Sequence, residues 1–224
     1  MLIRKLHSFD VSYEEAIRIQ RELADRISLH PLRSRCRYVA GADVAYSKKD
    51  SALFAAVVVQ EYPSAEEVFA QTRAGAATFP YIPGLLSFRE IPLLLRIFEE
   101  LPVTPDVVIL DGQGMAHPRR FGLACHVGLF LDIPSIGCAK SRLVGEHDQP
   151  GARKGACCPL TYQDKVVGAV VRTKDNVRPV YVSPGHKVDI DTAVRVVLDT
   201  CRGYRLPEPT RIAHLLSQKA KREG

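Results

Sequence analysis

Two aspartates stand inside stretches that otherwise read as buried strand. Asp43 lies in Tyr38–Tyr46, YVAGADVAY, among Val39, Ala42, Val44 and Ala45, and Asp111 ends the apolar run Val107–Leu110 just before Gly112. A carboxylate among such neighbours is costly unless it is paired or binds a cation. A third acid, Glu90, closes the segment Thr78–Glu90, TFPYIPGLLSFRE. Each has an ordinary reading alone: a solvent-facing strand acid, a turn or cap aspartate, and an acid beside the positive end of a helix. Taken as a set, three acids from separate elements suit Mg²⁺, which takes oxygen ligands and keeps several of its waters. In a basic chain they point to metal-assisted cleavage of a phosphodiester.

The pattern around these acids predicts a mixed α/β sheet. A helix over Ser12–Ser28 is capped by Ser12 and Glu15, with Ala16, Ile19, Leu23 and Ile27 on one face. A basic stretch, PLRSRCRYV, leads into strands at Tyr38–Tyr46, Leu53–Tyr62 and Glu67–Ala74, which form an antiparallel meander. A helix bearing Phe88, Ile91, Leu95 and Phe98 follows, and Pro92 must sit near its first turn or kink it. Strand 106–110, helix 121–131 and strand 134–139 make a β-α-β unit with parallel neighbours. A hairpin over Leu160–Arg172, a strand at Pro179–Ser183, a helix capped by Asp189 and a basic helix over Pro209–Lys221 complete the expected order. With no repeat or linker, residues 1–224 read as one domain.

Composition narrows the class without naming it. The net charge of +6 permits an anionic partner but does not demand one. The six cysteines include no CxxC pair and no zinc-type spacing, so they read as reduced thiols in a cytoplasmic setting. No apolar run approaches the roughly 20 residues needed to cross a bilayer, and a soluble monomer is expected.

The segments FPYIPGLLSFRE, DGQGMAHPRRFGLACHVGL, IGCAKSRLVG, YVSPGH and LPEPTRIAH resemble, in order, successive blocks of the endonuclease V family. The resemblance runs over nearly the whole chain. It implies a ribonuclease H-like mixed sheet flanked by helices, and an endonuclease acting at deoxyinosine, the product of adenine deamination. It further implies hydrolysis of the second phosphodiester 3′ to the lesion, with Mg²⁺ as cofactor and Mn²⁺ as substitute. The implied partner is DNA containing deoxyinosine, with inosine-containing RNA as a further candidate.

Carried onto this sequence, the resemblance makes Asp43, Glu90 and Asp111 the metal-binding acids and adds Lys140 and His214 to the catalytic set. Without it, Lys140 reads as a solvated loop lysine and His214 as a partly buried helix histidine. Pro80, Tyr81, Ile82 and Pro83 form a stiff, apolar tip, which the family uses as a strand-separating wedge; His117 belongs with the strand-binding residues. Gly84, Leu85, Gly112, Gly122 and Gly137, with Gly114 nearby, are expected around a flipped base, where missing side chains permit close backbone approach. Arg119, Arg120, Arg142, Arg153, Lys154, Arg205 and Arg211 are candidates for phosphate contact. Three rival readings stand beside this one: a structure-selective nuclease of the same fold, a non-catalytic inosine-binding scaffold, and an RNA-directed inosine nuclease. The Gly145–Pro159 loop, with Cys157 and Cys158, suggests no role.

Overall fold

The computed structural model of the chain describes residues 1–32, 35–47 and 50–224. Two residues of the basic stretch after the first helix, Arg33 and Ser34, fall outside them. Among the described residues, eight strands form one sheet: β1 (Tyr38–Tyr46), β2 (Ala52–Glu61), β3 (Glu67–Ala76), β4 (Val107–Leu110), β5 (Ser135–Ala139), β6 (Cys157–Tyr162), β7 (Lys165–Val171) and β8 (Val180–His186). Their order across the sheet is β3-β2-β1-β4-β5-β8-β7-β6. The meander β1–β2–β3 is antiparallel, β1, β4 and β5 are parallel neighbours, and the remaining pairs are antiparallel. β2 is buried along nearly all its length, as its unbroken apolar run requires.

Helices cover the two faces: α1 (Tyr13–Ala24), α2 (Leu86–Glu99), α3 (Leu123–Leu131), α4 (Ile190–Thr200) and α5 (Glu208–Glu223). Residues of α2 and α3 pack with Ala42, Val57, Val108 and Leu110 on one face. On the other, α4 packs with Val39, Val107 and Ile109, and Ala213 of α5 with Ala56 and Val58. α1 covers α2 and α3 through Ala16, Ile19 and Leu23 against Phe88 and Cys125. None of the helices among the described residues is long and apolar enough to cross a membrane.

Local chemistry explains where elements depart from expectation. Ser12 caps α1, its hydroxyl accepting from the Glu15 N–H at 3.2 Å. The helix stops at Ala24, before the expected Ser28, because Arg26 and Ile27 turn their N–H groups onto carbonyls three residues back. Pro92 lies deeper in α2 than its first turn, at the seventh residue, and withholds the N–H that would bond the Phe88 carbonyl. The β6–β7 hairpin turns at Gln163 and Asp164, whose φ values of 50° and 57° suit a tight two-residue turn. β6 begins at Cys157, so the end of the 145–159 loop is strand. β8 runs three residues past the expected Ser183.

Register and one glycine place the acids. β1 and β4 align Ala42 with Leu110, and the Asp111 N–H donates to the Ala42 carbonyl at 3.1 Å. Asp43 and Asp111 follow as the next residues on adjacent parallel strands and so share a face. On that face, a β-carbon at Gly41 would lie 2.2 Å from the Pro209 carbonyl carbon and 2.3 Å from the Thr210 nitrogen. The missing side chain is what lets the start of α5 rest on β1. We predict that Gly41→Ala lowers unfolding stability by about 2 kcal/mol through overpacking, measured by urea denaturation, with greater loss of activity than of fold because α5 is displaced.

Candidate active site

At the carboxyl ends of β1 and β4, where open α/β sheets place their ligands, the side chains of Asp43, Asp111 and His214 converge. Among the described residues these three form a potential ion-holding group, with ligating atoms all within 4.8 Å of one another. β1 supplies Asp43, β4 leads into Asp111, and α5, seated on Gly41, delivers His214. The same helix brings Ser217 one turn later, and its hydroxyl donates to Asp43 Oδ2. His214 Nδ1 lies 3.2 Å from Asp43 Oδ2 and 3.4 Å from Lys140 Nζ. Lys140, just past the end of β5, also donates to Asp111 Oδ2 in an ion pair.

The electrostatics separate the acids. Burial is the largest single influence on Asp43 and opposes its ionisation, but hydrogen bonds from His214 and Ser217, with the charges of His214 and Lys140, hold it below the ordinary value. Burial pushes Asp111 up; Lys140 opposes that rise and the Asp43 charge adds to it. Glu90, reaching the site from α2, is pushed up to about 8 by desolvation and by the charges of Asp43 and Asp111. A cluster that resists carrying its full negative charge is short of positive charge, and oxygen donors make the deficit one that a hard divalent cation can meet. Two acids and an imidazole make the tight group, and Glu90 couples to it electrostatically from the cleft.

That cleft, of about 370 Å³, is lined at one part by Glu90, Asp111 and Lys140 and elsewhere by Tyr81, Gly84 and Gly122. Tyr81 is 53% exposed, between the exposed Pro80 and Pro83, and its ring meets that of Tyr46 at a centroid distance of 5.5 Å. Ile82 to Leu85 is a tight turn closed by the Leu85 N–H on the Ile82 carbonyl at 2.9 Å, with Gly84 at φ 80°. That conformation at the third turn position, after Pro83, favours glycine. Arg89 ties the approach to this loop by donating to the Phe79 carbonyl at 2.9 Å.

The remaining expected residues divide between the cleft and the packing behind it. Gly112 and Gly122 line the cleft with Gly84, whereas Leu85 is core and Gly137 packs against the backbone of Gly112–Gly114. His117 lines the cleft yet is only 3% exposed. Its Nδ1 accepts from the Arg119 N–H at 3.2 Å and its Nε2 donates to the Gly84 carbonyl at 2.9 Å. Burial, with Arg119 nearby, pushes its pKa down to about 4, so the ring is neutral and braces the loop from within. Of the basic residues considered for phosphate, Arg119 turns inward to Gln20, Arg205 donates to the Lys140 and Pro179 carbonyls, and Arg211 pairs with Glu208; Arg142 lines the cleft. Sequence reasoning missed Ser217, Gln20 and the bracing role of Arg205. For Ser217 a signal existed, since it stands three residues after His214 on one helix face.

The raised Glu90 pKa has a consequence for stability. Between its ordinary value near 4.5 and the folded value of about 8 the folded state holds a proton that the unfolded state has released. Stability therefore falls as pH rises across that window and levels off above it. In cation-free buffer, Glu90→Gln is expected to remove this part of the pH dependence and to raise the urea midpoint above pH 8. An unchanged profile would mean that Glu90 is already compensated.

Comparisons with known proteins place this geometry. The family model described as endonuclease V matches residues 21–215. An endonuclease V from Dehalococcoides mccartyi is 51% identical over 213 residues, covering 95% of this chain and 96% of that protein. The crystal structure of endonuclease V from Streptomyces avermitilis superposes with a TM-score of 0.91 at 40% identity, covering 100% of this chain and 99% of that one. A Ciona intestinalis endonuclease V (D234N), in complex with a 23mer DNA containing an inosine followed by a ribo-adenosine, is 29% identical with a TM-score of 0.85, covering 95% and 99%. Its sheet is ribonuclease H-like, its motif blocks run in family order, and the family model spans most of its length: the chain belongs to the endonuclease V family.

Proposed function

We propose that this endonuclease V family member recognises deoxyinosine in DNA and hydrolyses the second phosphodiester on its 3′ side. The products would carry 3′-hydroxyl and 5′-phosphate ends, with the base left in place. One observation carries the reading. A single cleft is lined both by Asp111 of the acid cluster, with Glu90 and Lys140, and by a glycine-rich wall beside an exposed Pro-Tyr-Ile-Pro tip. Adjacent but distinct places for a base and for a phosphate fit cleavage displaced from the lesion. The inosine-containing DNA bound by the Ciona protein supports the choice of lesion.

The donor chemistry fits Mg²⁺, with Mn²⁺ as a substitute that also accepts imidazole. Asp43 and Asp111 would hold the cation, with Glu90 and His214 beside them; bound there, it supplies Lewis-acid stabilisation of charge on the phosphate. The chain's own groups do the rest. Ser217 fixes the rotamer of Asp43. His214 Nδ1 faces a donor and an acceptor: protonated, it donates to Asp43, and unprotonated, it accepts from Lys140. That nitrogen can hold or pass a proton beside the scissile bond. Lys140 sets its ammonium where charge develops on phosphate oxygen, a role worth about 10²–10³-fold in rate.

At the other part of the cleft, Tyr81 on its stiff loop would enter the stack as the base leaves it. Backbone N–H groups by the glycines would meet O6 of hypoxanthine, a contact that the amino group of adenine fails.

The test is cleavage of end-labelled duplexes matched except for deoxyinosine or adenine, with and without Mg²⁺. A single Mg²⁺-dependent nick immediately 3′ of the lesion's 3′ neighbour is expected; intact duplexes, or equal cutting of both, would sink the reading. Branched DNA and inosine-containing RNA run alongside to separate the rival nucleases. Asp43→Ala and Asp111→Ala should each reduce cleavage by about 10³-fold or more while the circular dichroism spectrum is kept. Tyr81→Ala should lower selectivity for inosine without changing Mn²⁺ affinity, and unaltered selectivity would remove the wedge role.

A further inference from the structure

Gln20 stands on the inner face of α1, beside Ala16, Ile19 and Leu23, and is 1% exposed. A buried amide there is costly unless its polar groups are met, and here they are met by other parts of the chain. Its Nε2 donates to the Gly84 carbonyl at 3.0 Å and to the Phe121 carbonyl at 3.1 Å, and its Oε1 accepts from Arg119 Nε at 2.5 Å. One NH₂ group thus joins the loop that carries Tyr81 to the loop that ends in Gly122. Residues of both loops line the cleft, as does Gln20 itself. Two more donors from the second loop, His117 Nε2 at 2.9 Å and Arg119 Nη2 at 2.8 Å, converge on the same Gly84 carbonyl. Three donors on one oxygen fix where that carbonyl points, and Gly84 at φ 80° has no side chain to fix it otherwise.

We propose that Gln20 is a positioning residue for base recognition: it locks the Pro80–Gly84 loop to the Gly114–Gly122 loop and so sets the opening that a flipped purine must fit. The proposal rests on the deoxyinosine reading for its choice of base, but the clasp itself does not depend on it. Gln20 lies one residue before the span matched by the family model and outside every motif block. Its hydrogen bonds run to the two loops, whereas the acid cluster is held by α5 and Lys140. Loosening the clasp should therefore change binding and selectivity of the base while leaving the cation site as it was.

Two variants of the full chain separate this from a merely structural role. Gln20→Met keeps the length and apolar packing of the side chain but removes all three hydrogen bonds. Arg119→Lys, at a partly exposed position, keeps the charge and loses the forked contact to Gln20 and Gly84. Cleavage kinetics on deoxyinosine and adenine duplexes, Mn²⁺ affinity by calorimetry without DNA, and amide hydrogen exchange at Leu85 would be measured for each. We expect KM for the inosine duplex to rise about tenfold with kcat within about twofold, as when binding shared by ground and transition states is lost. The inosine-to-adenine ratio should fall, Mn²⁺ affinity should hold, and the Leu85 N–H should exchange faster. Folded variants with unchanged KM, ratio and exchange would overturn the proposal, as would kcat and Mn²⁺ affinity falling together. Should Gln20→Met not fold, Arg119→Lys decides by the same measures. Should the unmodified protein leave inosine DNA intact, the functional reading fails, and exchange at Leu85 still decides the clasp.

Discussion

The structure turns on the placing of two carboxylates side by side in a setting that penalises each. Parallel pairing of β1 with β4 leaves no choice about this: once Ala42 stands opposite Leu110, Asp43 and Asp111 come next and face the same way. Burial and mutual repulsion both oppose their ionisation. Much of the surrounding architecture can be understood as compensation for that juxtaposition. Lys140 arrives from the end of β5 to pair with Asp111, and α5 lies against β1 so that His214 and Ser217 reach Asp43. Burial, with the charges of Asp43 and Asp111, pushes the Glu90 pKa up to about 8.

This arrangement sets a sheet-borne acid cluster beside what we propose as a recognition edge. Asp43 sits on β1 and Asp111 directly follows β4, two strands whose positions are set by backbone pairing on both sides. The recognition edge is built of loops, held by side chains that reach across from distant segments. Gln20, His117 and Arg119 meet at one carbonyl, and Arg89 ties down the approach to the tip. Loops carry the variable part of a site because their backbone is free of sheet register. Here polar side chains restore some of the order that register would have supplied.

What could be read from the sequence follows the range of the interactions concerned. The meander, the β-α-β unit and the caps at Ser12 and Asp189 rest on local patterns, and they appear in the structure where the pattern placed them. Asp43 and Asp111 stood out because a charge inside an apolar strand is conspicuous in one dimension. The position of β8 between β5 and β7 had no local signal, since antiparallel pairing across the sheet depends on contacts remote in sequence. Gln20 was equally silent: its three partners lie 64, 101 and 99 residues away. His117 and Arg119 looked like surface groups for nucleic acid, and only the packed structure reveals that both spend their donors internally. The nearness of His214 to the two aspartates was not legible either, because distance in space, unlike residue type, cannot be read from spacing.

The seat of α5 on Gly41 bears on how the molecule is made. His214 and Ser217 lie 171 and 174 residues beyond the carboxylate they serve. At ribosomal rates of about 5–20 residues per second, Asp43 is synthesised roughly 10–30 s before them. During that interval Asp43 lacks its helix partners, because a chain not yet extended through α5 carries neither His214 nor Ser217. Docking of one helix into a groove left by an absent side chain is then the step that brings His214 and Ser217 to Asp43. Until α5 is in place, Asp43 lies without the imidazole and hydroxyl that meet it in the finished fold.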